Sequence, residues 1–196
     1  MKERIAEAAF EEIAGHGLKF SMREIAGRLG ISTKTVYQYF ESKEQMIEYI
    51  VTQAIESFKE EEARLMSDAS LSFERKLRRS LTCLPEGFAF RDVRIWKELQ
   101  QKYPKQWKKL DEYMNDGWDN IRAMIREGIE AGAFRPVDDG VFVQVYVGGL
   151  YHFMSRGAAD RRERSLESML EQMADLLLAG ICLHPEETAS TGEDAQ

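Results

Sequence analysis

Apolar residues recur every three or four positions along almost the whole chain, and that period points to a protein built from helices. Ile5, Ala8, Ala9 and Ile13 form the first stripe, and Gly15-His16-Gly17 closes it. Ser21-Met22-Arg23-Glu24 has the capping-box pattern, in which a serine caps the first turn and a glutamate three residues on reaches back. A short helix follows to Leu29 and stops at Gly30. Ser32 or Thr33 caps a third helix running through Tyr39 and Phe40, and Ser42-Lys43-Glu44-Gln45 opens a long fourth one that ends near Met66. Segments 72–83 and 91–103 flank a break at Pro85 and Gly87. Pro104 suits a helix first turn, and Trp107, Leu110, Met114, Trp118, Ile121 and Ile125 then recur as one stripe up to Gly128 and Gly132. Val141, Val143, Val145 and Val147 alternate as a strand would, but a lone strand has no partner in a helical chain. The stretch to Met154 therefore reads as a helix buried on several sides. Leu166 to Ile181 is the last helix. The expected fold is all-α, with about nine helices: an N-terminal three-helix helix-turn-helix domain (1–47), a C-terminal helical domain for ligand binding and dimerisation (48–185), and a disordered polar tail (186–196). The boundary falls inside the fourth helix, so the two parts are expected to be mechanically coupled.

At 196 residues, 43% of them apolar, the chain can bury a core without metal or disulfide staples. Cys83 and Cys182 are isolated from one another and from the three histidines, so they read as reduced thiols, with no metal site and no cofactor. The charged N-terminus lacks a signal-peptide core, and the longest apolar stretch, 141–154, is shorter than a membrane span. The expectation is a cytoplasmic protein with no membrane partner. Its net charge of −7 argues against indiscriminate nucleic-acid binding. Resolved by position, the charge divides: Lys19 to Lys43 carries five bases and two acids, +3, which leaves −10 on the remainder.

Residues 21–40 have helix-turn-helix spacing. In the second helix only Val36 and Phe40 read as inward anchors, while the other positions carry hydroxyls, an ammonium, a carboxamide and phenols. Such groups contact phosphates and base edges: lysine donates to guanine and glutamine pairs with adenine. Thr33, Lys34 and Gln38 are the candidate base readers. Ser21, Arg23, Ser32, Thr35, Tyr37, Tyr39 and Lys43 are candidates for phosphate and sugar contacts, which position without specifying. Helix capping also explains Ser21, Ser32 and Ser42, packing explains the two tyrosines, and a solvated surface explains Arg23 and Lys43.

Residues 5–47 resemble the DNA-binding domain of the TetR family of bacterial transcription regulators. The pieces that match are Ile5…Ala8-Ala9, Gly15-His16-Gly17, Ser21-Met22-Arg23-Glu24-Ile25-Ala26, Leu29-Gly30-Ile31-Ser32, Thr35-Val36-Tyr37-Gln38-Tyr39-Phe40 and Ser42-Lys43-Glu44. The resemblance implies a homodimer that reads a palindromic double-stranded DNA operator, usually as a repressor, and releases it when a small molecule enters the C-terminal domain.

In that C-terminal half, rigid aromatic bodies with polar tips suit a lipophilic or aromatic effector. Phe88, Trp96, Tyr103, Trp107, Met114, Trp118, Phe142, Tyr146 and His152 are the candidate effector contacts, with core packing as the plainer reading of each. The last two helices are the expected dimer contact, through Val147, Gly148, Tyr151, Leu166, Leu170, Met173, Leu177 and Ile181. Gly148-Gly149 is expected to admit a close backbone. The runs Glu60-Glu61-Glu62 and Arg75-Lys76-Leu77-Arg78-Arg79 read as solvated faces. No nucleophile, metal-hydrolase or phosphate-loop motif points to an enzyme. A DNA-binding or structural protein without a ligand, and a ligand-dependent activator, remain as alternatives.

Overall fold

The computed structural model describes residues 1–84, 93–155 and 165–183. Phe88, the break at Pro85 and Gly87, and the tail 186–196 lie outside them. The described residues form α1 (Lys2–His16), a 3-10 turn (Gly17–Lys19), α2 (Met22–Leu29), α3 (Thr33–Tyr39), α4 (Lys43–Ser67), α5 (Phe73–Thr82), α6 (Val93–Lys102), α7 (Pro104–Asp116), α8 (Asp119–Glu130), α9 (Asp139–Ser155) and α10 (Leu166–Ile181). The extended pairing among them is a single bridge, Phe134 with Cys182.

Serine starts many of these helices because its hydroxyl satisfies an amide that the helix leaves without a carbonyl. Ser21, Ser32, Ser42, Ser72 and Ser165 each accept the backbone N–H three residues on, and Glu24 completes the box by accepting the Ser21 N–H at 2.6 Å. The valine-rich stretch is helix α9, as expected. Its neighbour α10 approaches so closely that a Cβ on Gly149 would lie 2.9 Å from the Met173 sulfur.

The stripe from Trp107 to Ile125 is broken in the structure. Helix α7 ends at Gly117 and α8 starts afresh at Asp119. The Tyr113 ring folds back over Gly117, where a Cβ would stand 2.9 Å from the ring and 2.7 Å from the Tyr113 carbonyl oxygen. Trp118 then donates its indole N–H to the Met114 carbonyl at 2.5 Å, tying the two helices across the bend.

One continuous core runs from α1 to α10. At its amino end Ile5, Ile13, Ile25, Val36, Phe40 and Met46 are fully buried and hold α1–α3 against the first turns of α4. At the other end α5 sits between α4, α8 and α10 and buries Leu77 and Leu81. Helix α4 is uninterrupted over its 25 residues, about 38 Å at 1.5 Å per residue, and belongs to both ends.

Candidate functional site

The turn between α2 and α3 requires a left-handed residue, and Gly30 supplies it with φ 64° and ψ 29°. The Ile31 N–H reaches back to the Ala26 carbonyl at 3.0 Å, which fixes the angle at which α3 leaves. Val36 and Phe40 bury completely beneath α3. With those two positions inside, Lys34, Tyr37, Gln38 and Tyr39 all face solvent, the tyrosines at 48% and 41% exposure. Thr33 and Thr35 are half-buried at the start of the helix, and the Thr35 hydroxyl lies 2.8 Å from that of Ser32. Ser21 and Arg23 are exposed at the start of α2.

The five bases of this region are not equivalent. Arg28 is clamped by Glu11 at 2.5 Å and Glu12 at 2.6 Å on α1. The expectation of a phosphate-directed Lys43 is corrected. Its ammonium donates to the Leu18 carbonyl at 2.7 Å and to that of Phe20, and lies 4.1 Å from the Phe20 ring centroid. Burial, and then the neighbouring Lys102, push its pKa down. Lys43 therefore fastens α4 to the 3-10 turn. Lys19, Arg23 and Lys34 are exposed, and no ion pair engages them among the described residues.

A half-open cavity of about 80 Å³ lies between α4, α5, α6, α7, α9 and α10. Four of the expected effector residues line it: Trp96, Met114, Trp118 and Tyr146. The other described ones lie elsewhere. Trp107 packs edge-on behind Trp96 with ring centroids 6.3 Å apart, Tyr103 is the half-buried residue before α7, and Phe142 is core. His152 is exposed on α9. The wall also contains Tyr113, which the sequence reading counted among the aromatics able to line a cavity, and Phe58, Glu62, Ser80, Cys83 and Leu150, which it did not name as effector contacts.

Glu62 corrects the reading of the Glu60–Glu62 run as wholly solvated. It stands one turn after Phe58 on the cavity face of α4 and accepts the Asn120 amide at 3.2 Å and the Tyr113 hydroxyl. Burial raises its carboxyl pKa above the ordinary value, with those two hydrogen bonds opposing the shift. Burial, with the fields of Glu61 and Glu62, also pushes the Cys83 thiol up to about 11, and burial with the field of Glu62 raises the Tyr113 phenol. Tyr146 donates to the Leu81 carbonyl at 2.5 Å. Among the described residues no cluster of three His, Cys, Asp or Glu could hold a metal ion.

The expected dimer residues divide by face. Leu166, Leu170 and Ile181 point inward, at 5%, 4% and 3% exposure, and the first two line the cavity. They are thus not available to a partner copy, because α10 is apolar on more than one side and this is its core side. Val147, Tyr151, Met173 and Leu177 are half-buried, and Tyr151 is tied to Asp111 and Asn115 on α7. The apolar residues that do reach solvent are Val141 and Val145 on α9 and Leu176 on α10, with Gly148 one turn beyond Val145.

One further contact joins the two ends of the molecule. Glu98 on α6, two residues after the cavity residue Trp96, accepts the Leu18 N–H at 2.9 Å.

A helix-turn-helix that presents polar and phenolic side chains outward, fused through one long helix to a cavity-bearing helical body, defines a DNA-binding transcriptional regulator. Residues 5–50 match the family model of bacterial regulatory proteins of the tetR family. It is 27% identical over 190 residues to the HTH-type transcriptional regulator YvaF of Bacillus subtilis strain 168, covering 97% of this chain and 100% of that one. Its fold is similar to a TetR/AcrR-family regulator from Thermobifida fusca, with TM-score 0.66 and 20% identity over 91% of this chain and 97% of the other. It is also similar to Bacillus subtilis FadR, solved in complex with stearoyl-CoA, with TM-score 0.63 and 20% identity over 94% and 100%. No described helix is long and apolar enough to cross a membrane.

Proposed function

We propose that the chain is a homodimeric, ligand-responsive repressor that reads a palindromic operator through α3 and releases it when a small lipophilic molecule occupies the cavity. In this reading residues 1–47 read DNA, and residues 48–185 bind the effector and form the dimer. The observation that carries it is the outward face of α3: Lys34, Tyr37, Gln38 and Tyr39 are exposed on a helix whose only anchors are Val36 and Phe40. Thr33, Lys34 and Gln38 read base edges, while Ser21, Arg23, Ser32, Thr35, Tyr37 and Tyr39 set the register on phosphates and sugars. Dimeric helix-turn-helix proteins place two such helices about 34–36 Å apart, or a multiple of that spacing. Val141, Val145, Gly148 and Leu176 support the dimer, as an apolar strip on adjacent helices that the chain itself leaves uncovered. The aromatic cavity supports the effector, and repression is the sign that the family resemblance implies.

The test is binding of the purified protein to DNA from upstream of its own gene, followed by fluorescence anisotropy. Replacing Lys34 and Tyr37 together with alanine is expected to weaken binding about 10-fold or more, with the dimer intact by sedimentation. Unchanged affinity overturns the assignment of α3. Val145→Lys with Leu176→Lys is expected to give folded monomers that bind operator poorly, and a persistent dimer overturns the assignment of that face.

A further inference from the structure

The charge and chemistry of the cavity wall identify the class of effector more closely, on the reading that this cavity is the effector site. Glu62 is the one charged side chain in that wall among the described residues, and no lysine, arginine or histidine is present there. Its carboxyl group is served by two neutral donors, the Asn120 amide and the Tyr113 hydroxyl, while the arginine nearest along α4, Arg64, is paired with Glu61 instead. A partly buried carboxylate without a cation is costly, and a ligand carrying positive charge removes that cost. The rings around it are of the matching kind. Phe58, Trp96, Tyr113 and Trp118 line the same void, and aromatic faces attract desolvated cations, tryptophan most strongly.

We propose that the cavity takes a small lipophilic cation, an organic ammonium whose charged head sits between the Glu62 carboxylate and the surrounding aromatic rings. A void of about 80 Å³ is well below the roughly 300–1,000 Å³ of drug-sized sites. The head group fills it, and the remaining apolar body extends through the open side. Among the described residues the wall disfavours anions, since a phosphate or carboxylate there meets Glu62 and no described basic side chain. The preference is thus opposite in sign to that needed for a polyanionic coenzyme A thioester such as the one bound in FadR.

Phenyltrimethylammonium, its uncharged isostere tert-butylbenzene and the anion benzoate separate these possibilities, with binding read from tryptophan fluorescence and calorimetry on the full-length protein. The expected result is at least a tenfold preference for the ammonium over the isostere, with benzoate weakest. Glu62→Gln should abolish the preference while still binding the isostere, and Glu62→Asp should retain part of it. Thermal unfolding checks that both variants fold. Equal binding of ammonium and isostere by the wild type, or a preference for benzoate, overturns the cation proposal and leaves the cavity as a ligand site. No binding of any probe overturns both. Tight binding of the ammonium with no change in operator affinity upholds the cation site and overturns its role as the effector site.

Discussion

Glu62 is a carboxyl group that folding carries from water into an aromatic wall. Burial raises its pKa above the ordinary value of 4.5, and the Asn120 and Tyr113 hydrogen bonds only partly oppose this. The neighbouring titratable groups, Tyr113 and Cys83, are neutral at pH 7, since burial raises pKa values that ordinarily lie above 7 already. Since the folded-state pKa lies above the unfolded one, the contribution of Glu62 to stability is fully present below the unfolded pKa. It is lost as pH rises through the folded value. Glu62→Gln, which keeps the shape and removes the charge, should therefore raise the unfolding temperature by a few degrees at pH 7 and leave it nearly unchanged at pH 4. Melting curves at the two pH values check this, and a loss of stability at pH 7 would mean that the carboxylate is paired. The residue was misread in the sequence for a physical reason. Glu60, Glu61 and Glu62 are identical in composition, and only the phase of α4 against α7 and α8 decides which of them turns inward. A weak signal was present, Phe58 four residues earlier on the same helical face. Lys43 is the mirror case: a cation in a basic segment looks directed at phosphate, but two backbone carbonyls separated by one residue, Leu18 and Phe20, were already waiting for it.

Helices were legible wherever period and cap agreed, as at Ser21, Ser32 and Ser42, while the Ser72 and Ser165 caps emerge only in the structure. Two further things at this scale were not legible. The break at Gly117 is invisible to periodicity because Met114, Trp118 and Ile121 keep the helical spacing across it. What makes the break is a ring, Tyr113, lying where a Cβ would otherwise stand. The two sides of α10 are likewise indistinguishable by composition, so Leu166 and Leu170, which face the cavity, read the same as Leu176, which is 77% exposed. Close approach also determines what α8 tolerates. Gly128 is buried in α8, and a Cβ there would stand 2.3 Å from the ring of Phe134, itself 1% exposed. Helix propensity alone predicts that Gly128→Ala stabilises by roughly 0.5–1 kcal/mol. The contact predicts the reverse, a loss of about 1–3 kcal/mol from overpacking, because the Phe134 ring is enclosed and its loop is pinned by the Arg135 N–H to the Ile181 carbonyl at 2.8 Å. Denaturant melts of Gly128→Ala beside Gly27→Ala, where nothing lies within 4 Å of the added methyl, should move in opposite directions.

Across the whole molecule, the cavity and the helix-turn-helix meet at one residue, Leu18. Helix α4 brings Phe58 and Glu62 to the cavity and, about 22 to 28 Å away along its axis, holds the Leu18 carbonyl with Lys43. Helix α6 brings Trp96 to the same cavity and holds the Leu18 N–H with Glu98. Residues two apart on a helix point to different sides, so on the proposed function a ligand that moves Trp96 is expected to shift Glu98 against the 3-10 turn just before α2. The approach is close: the Glu98 carboxylate lies 3.3 Å from where a Cβ on Gly17, at φ 71°, would stand. Two helices from the cavity thus share one lever on the DNA-reading unit. Glu98→Ala removes one of the two attachments without touching the cavity wall or α3. It should leave effector affinity in the absence of DNA within about threefold of wild type, while the effector-induced loss of operator affinity, typically 5–150-fold for such coupling, falls by roughly tenfold. Linkage makes the check reciprocal: the factor by which operator weakens effector binding must shrink equally. Titrating effector with and without operator, and operator with and without effector, measures both sides of that cycle. A wild-type coupling factor in Glu98→Ala would leave α4 and Lys43 as the route between cavity and DNA.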